Sequence, residues 1–298
     1  NGVSCDGPSE TFTITVNPTA QVDSVVDQVL CNGESTDAIE FTTTNTDGTT
    51  VFNWTNDNTT TGLSSSGTGN IPSFTASNSF NNELISTIVV TPTYTNNGIS
   101  CDGPSETFTI TVNPTAQVNS ISSQILCEGE STDAIEFTTT NTDGTTVFNW
   151  TNDNTTTGLS SSGTGNIPSF TASNSFNNEL ISTIVVTPTY TNNGISCDGP
   201  SETFTITVNP TAQVNSISSQ ILCEGESTDA IEFTTTNTDG TTVFNWTNDN
   251  TNIGLAASGT GDIASFAVTA GTVSETSTIV VTPTYTNNGV SCDGPSET

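Results

Sequence analysis

The chain has 298 residues, of which 31 are acidic and none is Lys, Arg or His, giving a formal net charge of −31. No ion pair can form within it, and no basic group is present to neutralise phosphate, so nucleic acid and anionic membranes are all but excluded as partners. The carboxylates must be spread over solvated faces, screened by salt or bridged by cations. Hydrophobic residues make up 31% of the chain and fall in alternating runs, which argues for a folded protein over a disordered one. No apolar run approaches the roughly 18 residues of a membrane span, so no membrane insertion is expected.

The chain opens on Asn1-Gly-Val-Ser-Cys-Asp-Gly-Pro-Ser-Glu-Thr11 and closes on the same residues at 288–298, and so reads as a segment of a longer array. Cys31, Cys127 and Cys223 recur at a spacing of 96 residues, and Cys5, Cys101, Cys197 and Cys292 form a second series of nearly the same period. That period exceeds the 20–50 residues of a solenoid repeat, so each unit is large enough to be a domain. Residues 1–18 are expected to be the C-terminal strand of a preceding module. Residues 19–114, 115–210 and 211–298 are modules 1, 2 and 3, the last with a truncated final strand. Modules 1 and 2 are nearly identical, and module 3 departs mainly between residues 251 and 277.

Within module 2, taken in chain order, strand A is expected at about 117–126 and strand B at about 134–140. Strand C follows at about 147–152, one or two short strands between 158 and 172, F at about 182–190 and G at about 202–208. The warrant is alternation: Phe204, Ile206 and Val208 interleave with Thr203, Thr205 and Thr207, β-branched residues whose hydroxyls suit a wet face. Gly, Pro, Asn and Thr interrupt every window a helix would need. Glu128-Gly129, Asp143-Gly144, Gly163-Thr-Gly165 and Asn193-Gly194 supply the turns. Short strands with a Trp on the third give an all-β fold of tandem immunoglobulin-like β-sandwich modules, with Trp54, Trp150 and Trp246 as core anchors. The corners Asn17-Pro-Thr-Ala20, Asn113-Pro-Thr-Ala116 and Asn209-Pro-Thr-Ala212 are short and stiff, so the modules are expected end to end as a rod. Strands of 8–10 residues make each module roughly 30–40 Å long.

The ordered set Cys127-Glu-Gly-Glu130, Phe148-Asn-Trp-Thr-Asn152, Gly158-Leu159, Ser162-Gly-Thr-Gly-Asn-Ile167, Phe170, Val186-Thr-Pro188, Cys197-Asp-Gly199 and residues 204–210 resembles PKD-like repeats. Such repeats occur in very large cell-surface proteins of Bacteroidota, including gliding-motility adhesins. The resemblance covers essentially the whole chain, three times. It implies a β-sandwich fold, type IX export and a stalk or adhesive role, and it supplies neither a ligand nor catalytic residues.

Seven cysteines with no His to complete a zinc site favour disulfides and an oxidising, extracellular, cell-surface setting. Pairing within modules gives Cys31–Cys101, Cys127–Cys197 and Cys223–Cys292. In an immunoglobulin-like topology, however, the A–B turn and the F–G loop lie at opposite ends of a module. A disulfide needs its Cα atoms within about 7 Å. The favoured pairing therefore joins neighbouring modules, as Cys31–Cys197 and Cys127–Cys292, leaving Cys5, Cys101 and Cys223 to pair outside the segment.

Asp47, Asp57, Asp143, Asp153, Asp239 and Asp249 lie in turns whose composition is that of calcium loops, which makes calcium the one candidate cofactor. No module holds a full EF-hand loop, and turn residues that cap their own backbone are the plainer reading. Asn149-Trp-Thr151 and Asn154-Thr-Thr156 match the N-glycosylation sequon, though Trp150 is expected to be buried, and Asp23-Ser24-Val25, which occurs once, resembles the O-glycosylation motif of Bacteroidota. No His, Lys or Arg is present for base or oxyanion work, so an enzyme is not expected. The leading function is a load-bearing stalk or fibre segment of a long extracellular adhesin or surface filament, its partners being neighbouring modules of the same chain. The alternatives are a repeated weak glycan- or surface-binding module acting by avidity, or a sheath in which like filaments associate laterally.

Overall fold

The computed structural model describes residues 2–298. Its chain divides into two compact units, residues 2–116 with 141–146 and 190–199, and residues 117–140 with 147–189 and 200–298.

The first unit holds a sheet of six strands: β1 (Gln28–Cys31), β2 (Thr49–Asn56), β3 (Ser66–Thr68), β4 (Leu84–Asn96), β5 (Ile99–Asp102) and β6 (Glu106–Asn113). Their order is β1-β6-β4-β2-β3, with β5 folded back on β4. β1 runs parallel to β6, and the other pairs are antiparallel. The facing layer is irregular, held by bridges between Ser35 and Thr75 and between Ile39 and Ile71. Between the layers Ile39, Phe41, Ile71, Ile88, Phe108 and Ile110 pack around Phe52 and Trp54.

Alternation along β2 explains this placement, since Phe52, Trp54 and Asn56 turn inward while Val51, Asn53 and Thr55 face solvent. Trp54 donates its indole N–H to the Gly69 carbonyl at 3.1 Å. Its ring lies so close over Gly67 that a Cβ there would stand 2.1 Å from it, which is why the Ser-Gly-Thr of β3 carries glycine.

The second unit holds two cores. The second sheet comprises β7 (Gln124–Cys127), β8 (Thr145–Asn152), β9 (Ser162–Thr164), β10 (Leu180–Asn192), β11 (Ile195–Asp198) and β12 (Glu202–Asn209), in the same order as the first. Its β11 and the adjoining ends of β8 and β10 belong to the first unit. The third sheet has β13 (Thr241–Asn248), β14 (Ser258–Thr260), β15 (Ile279–Asn287) and β16 (Val290–Asp293), ordered β14-β13-β15-β16. Its core is smaller, built on Phe233, Phe244, Trp246, Leu255, Ile263 and Val281.

Several expected strands differ. Of the strand expected at 117–126 only the end is strand, as part of Gln124–Cys127, and the one expected at 134–140 is reduced to a single bridge at Ile135, with another ahead of it at Ser131. Polar side chains take the ladder's place. Thr132 Oγ1 accepts from the Phe170 N–H at 3.1 Å, Ser169 Oγ donates to the Thr132 carbonyl at 2.6 Å, and Asn166 Oδ1 accepts from the Phe137 N–H at 2.9 Å. The strand expected at 182–190 is longer, β10, and it continues through Asn193 (φ 50°) and Gly194 (φ 77°) into the unforeseen hairpin strand β11. The cysteines expected in turns are strand residues: Cys31 and Cys127 end β1 and β7, and Cys197 and Cys292 lie on β11 and β16. Residues 11–17, expected as a strand, have no strand partner.

Candidate functional site

The motif Cys-x-Gly-Glu builds a rigid turn. Glu34 Oε2 accepts from the Cys31 N–H at 2.8 Å, and the Glu34 N–H returns to the Cys31 carbonyl at 3.1 Å. Gly33 takes φ 87°, a left-handed conformation open to glycine at no cost. Cys127–Glu130 and Cys223–Glu226 repeat the turn, with the same carboxylate bond at 2.8 and 2.7 Å.

These turns present cysteines to hairpins. Cys31 is bonded to Cys197 and Cys127 to Cys292, each with Cα atoms 5.6 Å apart, and the bonds close loops of 166 and 165 residues. Each bond lies inside one compact unit. Cys5, Cys101 and Cys223 carry free thiols, so the within-module bonds Cys31–Cys101 and Cys223–Cys292 are not formed.

Beside each disulfide sits a polar clasp. In the first unit Glu83 Oε2 accepts from Asn192 Nδ2 at 2.7 Å and from Asn193 Nδ2 at 2.9 Å. Fully buried Asn113 donates to the Asn192 carbonyl at 3.1 Å, and the Thr142 N–H donates to the Asn81 carbonyl at 2.9 Å. The second unit repeats the set. Glu179 takes Asn287 and Asn288 at 2.8 and 2.9 Å, Asn209 donates to the Asn287 carbonyl at 3.1 Å, and Thr238 donates to Asn177 at 2.9 Å. Neutral amide donors satisfy each carboxylate without a cation. The clasp was missed in the sequence; the signal was Asn-Asn-Gly recurring after each Thr-Pro-Thr-Tyr.

Tyr190 and Tyr285 back the clasps. Their hydroxyls donate to the carbonyls of Thr142 at 2.8 Å and Thr238 at 2.7 Å. Burial pushes both phenols above the usual tyrosine value, helped by Asp143 and Glu83 at Tyr190 and by Asp239 and Glu179 at Tyr285.

The calcium candidates are not brought together. Asp47, Asp143 and Asp239 sit at φ 65°, 67° and 67° in the turns that lead into β2, β8 and β13. Asp57, Asp153 and Asp249 lie past the other ends of those strands. There each accepts a backbone N–H at 2.7 Å, from Thr87, Thr183 and Thr278. A strand of eight residues separates the two sets, roughly 25 Å. Among the described residues no cluster of three or more Cys, Asp or Glu side chains could hold a metal. Gly163-Thr-Gly165, which superficially matches a phosphate cradle, is β9 and its turn, with Gly163 beneath Trp150.

Trp54, Trp150 and Trp246 are each 7% exposed and anchor the three cores. The order G-F-C-C′, read here as β6-β4-β2-β3 with β1 parallel to β6, defines an immunoglobulin-like sandwich, and the chain is a tandem array of them. No family model and no curated protein matches the chain. Among solved structures, Sidekick-1 immunoglobulin domains 1–5 align with 92% of this chain at 13% identity, with a TM-score of 0.29. The chain spans 59% of that protein's length. Mouse cadherin-23 domains EC22–24 align over 93% of this chain and 96% of theirs, at 9% identity and a TM-score of 0.43. The insect immune protein hemolin aligns over 92% and 74%, at 11% identity and 0.27. Two disulfides and a tandem immunoglobulin-like fold fit an extracellular protein, and no helix of the described residues is long and apolar enough to cross a membrane.

Proposed function

We propose that the chain is a load-bearing stalk segment of an extracellular adhesin or surface filament, divided into modules at residues 19–114, 115–210 and 211–298. The observation that carries this reading is the repeated pairing of Cys31 with Cys197 and Cys127 with Cys292. Each bond ties a strand end in one repeat to the hairpin of the next, a use of disulfides that resists extension more than it serves a ligand. The resemblance to PKD-like repeats of Bacteroidota adhesins supports the same reading, including type IX export. The test is electron microscopy of chains carrying three, six and nine repeats. An extended particle that lengthens by about 30–40 Å per added repeat is expected. A compact particle of unchanged length overturns the stalk.

One observation favours a second reading, a weak repeated binding surface. Phe80 and Phe176 occupy equivalent positions and are 53% and 52% exposed. If the array binds glycans by avidity, Phe80→Ser with Phe176→Ser should abolish retention on a glycan surface and leave particle length unchanged.

A further inference from the structure

The carboxylates of this chain are unevenly placed. β2, β3 and β4 hold none, nor do β8, β9 and β10, nor β13, β14 and β15, although 10% of the chain is charged and all of that charge is negative. Strand preference alone does not empty them, since β5 ends on Asp102 and β6 opens on Glu106. The outward residues of the first sheet therefore form an uncharged face. One row across β6, β4, β2 and β3 reads Thr107, Val89, Thr55 and Ser66, and Val51 stands opposite Thr93 further along. Carboxylates stand at the rim. Asp57, past the end of β2, accepts from the Thr87 N–H at 2.7 Å, and Asp102 accepts from the Thr93 hydroxyl at 2.7 Å.

Covering this face costs little, because its polar groups already pair with one another. Thr91 and Ser105 share a hydrogen bond of 2.7 Å, Thr95 and Ser100 one of 2.9 Å, and the Thr68 hydroxyl donates to Asn53 Oδ1 at 3.1 Å. Unpaired donors and acceptors are the main penalty for burying a polar surface, and these hydroxyls escape it. Apolar contact comes from Val51 and Ile85, 43% and 44% exposed. Their counterparts in the second sheet, Val147 and Ile181, are 45% and 46% exposed, and Val243 in the third is 46% exposed.

We propose that this face is where a second copy of the chain packs, sheet against sheet. The partner follows from charge. A cationic partner is best met by carboxylates, and an uncharged glycan is not repelled by them, so neither calls for clearing them from one face. A strongly acidic partner does, and a second copy carries −31 and offers the same uncharged face. The pairing is isologous, with the two sheets about 10 Å apart.

Area sets its strength. The eight residues of β2 span about 26 Å and four strands about 19 Å, so each copy contributes about 500 Å² and one pair of faces buries about 1,000 Å². That is near the lower limit for a specific interface. The remaining surfaces still repel, so association is weak in dilute salt. It strengthens as the screening length contracts from about 30 Å at 0.01 M to about 3 Å at 1 M.

The test is sedimentation of the full 298-residue chain, its free thiols alkylated, in sodium chloride from about 0.01 to 1 M. Dimers and larger species should form about tenfold more readily at the upper end. Val51→Asp, Val147→Asp and Val243→Asp together should keep the chain monomeric. Ala38→Asp, Ala134→Asp and Ala230→Asp add the same charge at exposed positions of the facing layer, and should leave the association in place. Hydroxyl-radical footprinting of the unaltered chain, which depends on no variant folding, should show Val51 and Ile85 protected in high salt and Phe80 unchanged. Association that persists in the Val variants, is lost equally in the Ala variants, or leaves Val51 and Ile85 unprotected overturns the proposal. So does a chain that stays monomeric in high salt and is held through this face on an uncharged polysaccharide instead.

Discussion

Reducing the two disulfides should lengthen the chain under tension by about 650 Å. The bonds interleave, because Cys127 falls between Cys31 and Cys197, and Cys197 between Cys127 and Cys292. The shortest covalent route therefore runs out to Cys31, across to Cys197, back along the chain to Cys127, and across to Cys292 near the end. That route has about 106 backbone steps against about 297 for the open chain, which at about 3.5 Å per step is roughly 380 Å against 1,040 Å. The interleaving makes the response strongly non-additive. Breaking one bond alone leaves the other carrying almost the same shortcut, so Cys31→Ser or Cys127→Ser should each release only about 80–90 Å. Optical tweezers attached at the two termini read these lengths directly, with and without reductant. Bonds confined within modules would instead release about 240 Å for each one broken, and additively. Single variants that release that much, or equal extensions with and without reductant, would refute the reasoning.

Three further outcomes are expected. Trp150→Ala should cost about 3–5 kcal/mol by emptying the second core, read as lost hydrogen-exchange protection in β8 and β10; full protection would remove Trp150 from its anchoring role. Glu83→Ala leaves the Asn192 and Asn193 amides without their carboxylate and should cost about 1–2 kcal/mol, seen as faster exchange in β11, while Glu83→Gln should lose less. Tyr190 and Tyr285 hold their protons more tightly folded than unfolded, so the stability they add is whole below a pH of about 10 and is lost as pH climbs through their raised values. Phenolate absorbance should show both titrating later than free tyrosine, and Asp143→Asn should bring Tyr190 earlier; titration at the ordinary value would undo the burial argument.

Much of the fold was legible because it is local. The alternation in Thr145-Thr-Val-Phe-Asn-Trp-Thr-Asn152 states which face of β8 is core, and Asn193-Gly194 states where β10 turns back. The candidate site was legible only in part. The positions of the cysteines pointed to Cys31–Cys197 through a topological argument, but the Glu83 and Glu179 clasps bring together residues about 110 positions apart, and the recurring Asn-Asn-Gly that marks one partner says nothing of which carboxylate it meets. The facing layer was read as strand at 134–140 from the alternation of Ile135 and Phe137, but the Asn166 side chain takes the Phe137 N–H and the Thr132 hydroxyl takes the Phe170 N–H in place of a ladder.

Two pairs of identical segments separate what the sequence determined from what it could not. Residues 107–113 are the strand β6, and residues 11–17, the same in sequence, are not strand. Gln124–Cys127 is β7, while Gln220-Ile-Leu-Cys223 is not, and Ile221 stands fully exposed. Local sequence gave both members of each pair the same β-branched, alternating preference. That preference is worth only about 1 kcal/mol, whereas a strand's hydrogen bonds and buried face come from its neighbours. Where β4 stands beside β6 and β12 beside β7, the segment is strand; without such a ladder the same residues are exposed chain. Composition, period and inward pattern belong to the sequence, and the decision to be a strand belongs to the tertiary structure.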